Sequence, residues 1–176
     1  GGAPALLARA EIRISGGGRA NFTNLYASPA NYLSDNPRFC VSALKRYTQH
    51  DFVALVEKHA IAYHERDHGQ LFCDGSAQQI TDMLLDEAHG ARVQTATDVT
   101  RVSRHEDGFT VETDRGTFAA AALVIATGGP SIPKMGSSGF GYDVARQFGL
   151  KVIEPRPGLV PLTFAPELLK SLASLG

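Results

Sequence analysis

Ser15-Gly16-Gly17-Gly18-Arg19-Ala20-Asn21-Phe22-Thr23-Asn24 and, much further along the chain, Ala126-Thr127-Gly128-Gly129 are the stretches on which the fold turns. Consecutive glycines let backbone N–H groups converge on an anion with no Cβ in the way, which is how a polypeptide cradles phosphate. Arg19 adds positive charge to the same bend, and Asn21, Thr23 and Asn24 add short polar side chains. Taken alone, the run is equally well a surface turn. The second stretch closes the continuous apolar segment Leu123-Val124-Ile125-Ala126, the composition of a strand covered on both faces and so of a parallel sheet. Ligands in open α/β sheets sit at the carboxyl ends of strands, and paired glycines there let a flat cofactor approach the backbone. An isolated pair is equally a tight strand-to-helix turn.

Outward from these bends the periodicities alternate. Glu11 to Ile14 is a short strand leading into the glycines, and Pro37 opens a helix to Arg46. Thr48 and Asp51 form an N-cap pair ahead of Phe52, Leu55 and Val56, predicting an amphipathic helix that ends near His59. Ser76 with Gln79 reads as a capping box, and Ile80, Met83, Leu84 and Ala88 recur at helical spacing up to Gly90. From Val93 the period shortens. Val99–Arg104, Phe109–Thr113 and Thr117–Ala119, separated by turns at Asp107-Gly108 and Arg115-Gly116, predict a three-stranded antiparallel meander. Beyond the apolar strand come a helix from Gly139 to Phe148, a strand from Lys151 to Ile153, a strand from Leu159 to Phe164 and a helix from Pro166 to Leu175.

The chain has 176 residues, 43% of them hydrophobic and 20% charged, the composition of a globular domain with a real core. Seventeen basic against eighteen acidic residues leave a formal charge of −1, which speaks against a nucleic-acid partner. The longest apolar run, Phe118 to Ala126, is less than half the roughly twenty residues that cross a bilayer, so no membrane span is expected. Cys40 and Cys73 form no C-x-x-C pair and no export leader is visible, which suits the cytoplasm. Oligomeric state is not legible. Gly1-Gly2-Ala3-Pro4 lacks a methionine and reads as a cloning remnant or as a cut inside a longer protein.

The segments combine into a longer pattern. Ile12 to Asn24, then Ala62-Tyr63-His64-Glu65, then Gly69-Gln70-Leu71-Phe72-Cys73-Asp74, then Ala126-Thr127-Gly128-Gly129-Pro130-Ser131-Ile132-Pro133-Lys134-Met135-Gly136 resemble the bacterial YhiN/BaiN-like flavoproteins, the aminoacetone-oxidase-type FAD-binding family. The resemblance implies an α/β, glutathione-reductase-like Rossmann-type domain, incomplete here, that carries a β-meander and is interrupted by a β-rich insertion. Residues 1–156 would form the partial FAD-binding domain, and residues 157–176 would begin the inserted substrate domain. It also implies that Ser15, Gly16, Gly17, Gly18, Arg19, Asn21, Thr23 and Asn24 lie along the FAD, with backbone at Val99 near the adenine. Ala126, Thr127, Gly128 and Gly129 would line the cofactor cleft. NADH or NADPH would donate the hydride, and a small organic acceptor or oxygen would take the electrons. No catalytic side chain is named by the pattern.

Three departures accompany the match. The G-x-G-x-x-G unit that opens the family is not found, and Gly136-Ser137-Ser138-Gly139-Phe140-Gly141 has the order G-x-x-G-x-G instead. Ala20 stands where the family usually has cysteine. The C-terminal stretch that returns to the flavin is also missing. Without the opening βαβ unit this chain alone is expected to hold FAD weakly or not at all and to expose an apolar sheet edge prone to association.

Two other functional classes compete. His64-Glu65-Arg66-Asp67-His68 spells H-E-x-x-H, the zinc-hydrolase signature, with Glu87 as a conceivable third ligand. That chemistry needs both histidines on one helical face, whereas Ile61 to Glu65 reads as extended and Gly69 follows at once. No metal site is therefore expected. The remaining class is a cofactor-free, non-catalytic remnant. His50, His59, His89 and His105 lack ligand spacing and read as solvated residues.

Overall fold

The computed structural model describes Ile12 and residues 15–130 and 138–156. The expected strand at Glu11–Ile14 falls almost wholly outside them. So do Ser131–Ser137, the strand at Leu159–Phe164, the helix at Pro166–Leu175 and the inserted domain.

Ser15–Gly18 makes one 3-10 turn, which leads into strand β1 (Asn21–Asn24). Helix α1 covers Val41–Arg46. It starts later than Pro37 predicts, because Asn36 first holds a turn: its side chain accepts from the Arg38 N–H and its carbonyl from the Phe39 N–H. Helix α2 (Gln49–Lys58) begins as expected, with the Thr48 hydroxyl accepting from the Asp51 N–H and the Asp51 carboxylate accepting from the Thr48 N–H. These reciprocal bonds satisfy two of the donors that a helix start leaves free. Strands β2 (Tyr63–Arg66) and β3 (Gln70–Cys73) follow, joined by a 3-10 turn at Asp67–Gly69.

Strand β3 is the centre of an antiparallel sheet ordered β1-β3-β2, with Asn21 opposite Phe72 and Tyr63 opposite Cys73. Helix α3 (Gln78–Glu87) and α2 supply the other half of the core. Val56, Ile61, Cys73, Ala77, Ile80 and Met83 pack with Ala20 into one buried cluster, and Phe22, Phe52, Leu55 and Tyr63 close over it. Burying a side chain of the size of Val56 or Ile80 contributes about 1.5–3 kcal/mol. Phe22 is the hub of the aromatic layer, with Phe52 at 6.0 Å and Tyr63 edge-on at 5.5 Å.

The predicted capping box at Ser76 and Gln79 does not form. Ala77 takes the cap position in helical conformation, and the Ser76 hydroxyl accepts from the Gln78 N–H instead. The cause lies in the tertiary structure: the Ala77 N–H is drawn to the Gly18 carbonyl at 2.8 Å, so the glycine turn sets how the chain enters α3.

The predicted meander is present as β4 (Val99–His105), β5 (Gly108–Thr113) and β6 (Gly116–Ala120), in that spatial order. Helix α4 (Phe140–Gln147) packs on it. Val102 and Val144 are buried, Phe109 meets Phe148 edge-on at 6.1 Å, and the Gln147 side-chain amide donates to the Val102 carbonyl at 2.6 Å.

Two strand expectations are corrected. Leu123–Ala126 pairs with nothing among the described residues, and Val124 is 84% exposed; Lys151–Ile153 likewise makes no ladder. A strand needs at least one neighbour to complete its ladder, and both described sheets are antiparallel and do not include these segments. Apolar composition alone therefore leaves Leu123–Ala126 without a ladder partner among the described residues.

Candidate cofactor site

The glycine bend is fixed from three directions. The Ala20 N–H closes it onto the Ser15 carbonyl at 3.1 Å, the Cys73 N–H donates to the Arg19 carbonyl at 2.9 Å, and Ala77 holds Gly18 as described. It is therefore a rigid corner stitched to β3 and α3, with Ala20 among the core residues, and not a loose surface loop. Gly17 has φ +68°, and space is open where a Cβ would stand. Arg19 is exposed at the outer side of the bend.

Asn24 is occupied with the fold. Its amide donates to the His68 carbonyl at 2.9 Å and its oxygen accepts from the Tyr26 N–H at 2.8 Å, tying β1 to the 3-10 turn before β3. Asn21 and Thr23 lie on β1, either side of an irregularity in its pairing with β3. Val99 opens β4 opposite Thr113, next to a bulge, in the meander.

The second bend is built on α4. Thr127 Oγ1 is buried without a hydrogen-bond partner and faces Gly141, where a Cβ would come within 3.1 Å of it. A Cβ on Gly129 would stand 3.0 Å from Tyr142 Oη. Gly128, at φ +71°, has open space on its Cβ side, and Ala126 is exposed. The sequence points to Gly141 only as the end of the G-x-x-G-x-G string and not to Tyr142, although a glycine one position inside a helix start is the signal of a close approach. Among the described residues no hydrogen bond links the bend at Gly17 to the bend at Gly128. An orphaned hydroxyl and two left-handed glycines with free space are features that a flat, polar dinucleotide would satisfy.

The H-E-x-x-H segment runs along β2 into the 3-10 turn, so His64 and His68 do not share a helical face. His64 Nδ1 instead pairs with Asp74 Oδ1 at 2.6 Å, its ring stacks on Phe72, and Arg66 lies 4.4 Å over the same ring. Glu87 bonds Lys58 and His59, not these histidines. His59, read from sequence as solvated, is only 18% exposed. Among the described residues no three of His, Cys, Asp and Glu form a metal-holding group, and no helix is long and apolar enough to cross a membrane.

Two antiparallel sheets, flanking helices and two glycine bends make a mixed α/β chain, consistent with an incomplete domain of the Rossmann-type class, whose own sheet is mostly parallel. Comparison with known proteins agrees: the chain belongs to the family described as the HI0933-like protein Rossmann domain, whose model matches residues 7–171. It is 54% identical over 94% of its length to a protein of Escherichia coli (strain K12) named ribosomal RNA dihydrouridine synthase, and 46% identical over 88% to one of the same name in Haemophilus influenzae. A 3-dehydro-bile acid delta(4,6)-reductase of Clostridium scindens is 25% identical over 86% of the chain. The matched regions span 42%, 40% and 38% of these relatives.

Proposed function

We propose that this chain is the FAD-binding portion of an oxidoreductase that uses NADH or NADPH to saturate a carbon–carbon double bond conjugated to a carbonyl, with a uracil ring of ribosomal RNA as acceptor. The observation that carries this reading is the 54% identity, over 94% of the chain, to a relative named for dihydrouridine formation in ribosomal RNA. The bile-acid reductase supports the reaction class. Dihydrouridine is uridine with its ring double bond saturated, and the steroid name describes the reduction of an alkene conjugated to an oxo group. An acceptor of this class takes hydride at the carbon β to the carbonyl, or at the δ carbon where a second alkene extends the conjugation, and the oxygen carries the charge until a carbon is protonated.

In this reading residues 1–156 form the cofactor-binding part and residues 157–176 begin an inserted substrate domain. Ser15, Gly16, Gly17, Gly18 and Arg19 hold the pyrophosphate, Asn21, Thr23 and Asn24 shape the flavin side, and Val99 offers backbone to the adenine. Ala126, Thr127, Gly128 and Gly129 admit the flat ring, with the Thr127 hydroxyl gaining the partner it lacks. Bound FAD supplies the hydride chemistry, and the protein supplies position and electrostatics. An RNA acceptor departs both from the small-molecule substrate that the resemblance implies and from the net charge, which speaks against nucleic acid; it rests on the relatives' names.

The test uses the natural full-length protein. It is expected to purify with a flavin spectrum and to oxidise NADH or NADPH while protein-free ribosomal RNA gains dihydrouridine, measured by mass spectrometry of its nucleosides. A colourless protein that takes up no FAD, or RNA that gains no dihydrouridine, would refute the reading.

A further inference from the structure

The net charge of −1 hides an uneven distribution. Between Asn21 and His50 the cations Arg38, Lys45 and Arg46 face a single acid, Asp35. All four are exposed, and none makes an ion pair among the described residues. Arg38, Lys45 and Arg46, with Val41 and Ser42, line an open concavity of about 700 Å³. Following these cations in the chain are aromatic rings that the fold leaves in water: Phe39, after Arg38, is 81% exposed, and Tyr47, after Arg46, is 53% exposed.

No residue between Ala20 and Val56 is buried, yet the stretch is pinned. The Gln49 amide donates to the Leu25 carbonyl at 2.9 Å, Ser28 and Asn31 close one turn, and Thr48 and Asp51 close another. The rings are thus presented on an ordered segment. Single exposed apolar residues are ordinary, but two exposed rings that each follow an unpaired cation within one short segment point to an interaction surface.

We propose that this surface binds an unpaired loop of RNA, with Arg38, Lys45 and Arg46 neutralising phosphates while Phe39 and Tyr47 stack on splayed bases. The inference rests on the reading above, in which the acceptor is a base in RNA. Charge complementarity selects a polyanion, and flat rings among the cations select one whose bases are unstacked. A duplex offers these rings nothing, because its bases already stack on each other. An anionic membrane is disfavoured because α1, at six residues, is too short to lay an amphipathic face into the interface.

The experiment measures binding of the natural full-length protein to a fluorescent ribosomal RNA hairpin with a uridine-containing loop, over a range of salt. Replacing Arg38, Lys45 and Arg46 together by Ala is expected to weaken binding at least tenfold and to reduce the slope of log affinity against log salt by about 2. Lys45→Gln alone, a minimal change at an exposed site, should reduce the slope by about 0.7. Phe39→Ala with Tyr47→Ala should weaken binding about tenfold and leave the slope unchanged. Unaltered flavin content and melting temperature show that the variants fold. The proposal is overturned if the variants bind like the parent, if a duplex binds as well as the loop, or if phosphatidylglycerol vesicles bind and the hairpin does not. Dihydrouridine formed normally by all variants, with normal hairpin binding, removes this surface and leaves the enzyme reading intact. A parent that makes no dihydrouridine removes the enzyme reading, while the hairpin titration still reports on the surface.

Discussion

Glu87 Oε1 lies 2.7 Å from His59 Nε2, joining the end of α3 to the end of α2. The same oxygen accepts from Lys58 Nζ at 2.7 Å. Hydrogen bonds from Lys58 and then His59 pull the Glu87 carboxyl from 4.5 down to about 2. A carboxyl with a lower pKa in the folded state stabilises the fold above its unfolded pKa and loses that contribution as it protonates.

Glu87→Gln is therefore expected to lower the melting temperature near neutral pH, and the gap to the parent should close as the pH falls from about 4.5 toward about 2. Melting curves at stepped pH check this. A gap that stays constant across that window would show that the carboxylate does not hold the two helices together.

Gly108 turns the β4–β5 hairpin at φ +145°, and a Cβ there would overlap the Ala120 carbonyl oxygen. Gly108→Ala should cost about 1–3 kcal/mol, because backbone and not a flexible side chain is in the way. Gly116→Ala, also at positive φ but with open space, should cost less. Urea midpoints of the two variants, compared at equal m-value, decide the order.

Cys73 is fully buried and Cys40 is half-buried. Burial pushes the Cys73 thiol up from its ordinary value, with the neighbouring Asp74 charge adding to the effect. A thiol reagent should label Cys40 first and reach Cys73 only when β3 opens. Mass mapping of a labelling time course tests this; equal rates at the two sites would contradict the burial of β3.

Gly17→Ala and Gly128→Ala place a Cβ in open space, so the fold should lose only the roughly 1–2 kcal/mol of a left-handed alanine. In the full-length protein both changes are expected to reduce flavin retention far more than stability, since each Cβ would stand where the proposed cofactor approaches. Flavin absorbance against melting temperature separates the two effects. Retention equal to that of the parent in both variants would remove these glycines from the site.

Local signals were legible where a short stretch satisfies its own requirements. Thr48 and Asp51 cap α2 reciprocally, and Asp107-Gly108 turns the meander, because each bond closes within a few residues. Leu123–Ala126 misled for the opposite reason: its composition answers to strands that would flank it, and none does so among the described residues. Ser76 failed as a cap because Gly18, distant in sequence, claims the next N–H. The H-E-x-x-H spelling lost its chemistry once β2 laid it out as a strand.

Sequence alone determined the family, through glycine-rich strings whose order and spacing cannot arise from one local need, and it determined the helices and hairpins that cap or turn themselves. Only the tertiary structure decided that the Ser15–Gly18 bend is a stitched corner, that Thr127 is left with a buried unpaired hydroxyl, and that Arg38, Lys45 and Arg46 stand unpaired around one concavity. The first two depend on residues distant in sequence, Cys73 and Ala77 for the bend and Gly141 for Thr127, while the third depends on no acid elsewhere in the described chain reaching a local cluster of cations; packing sets all three, and local sequence does not.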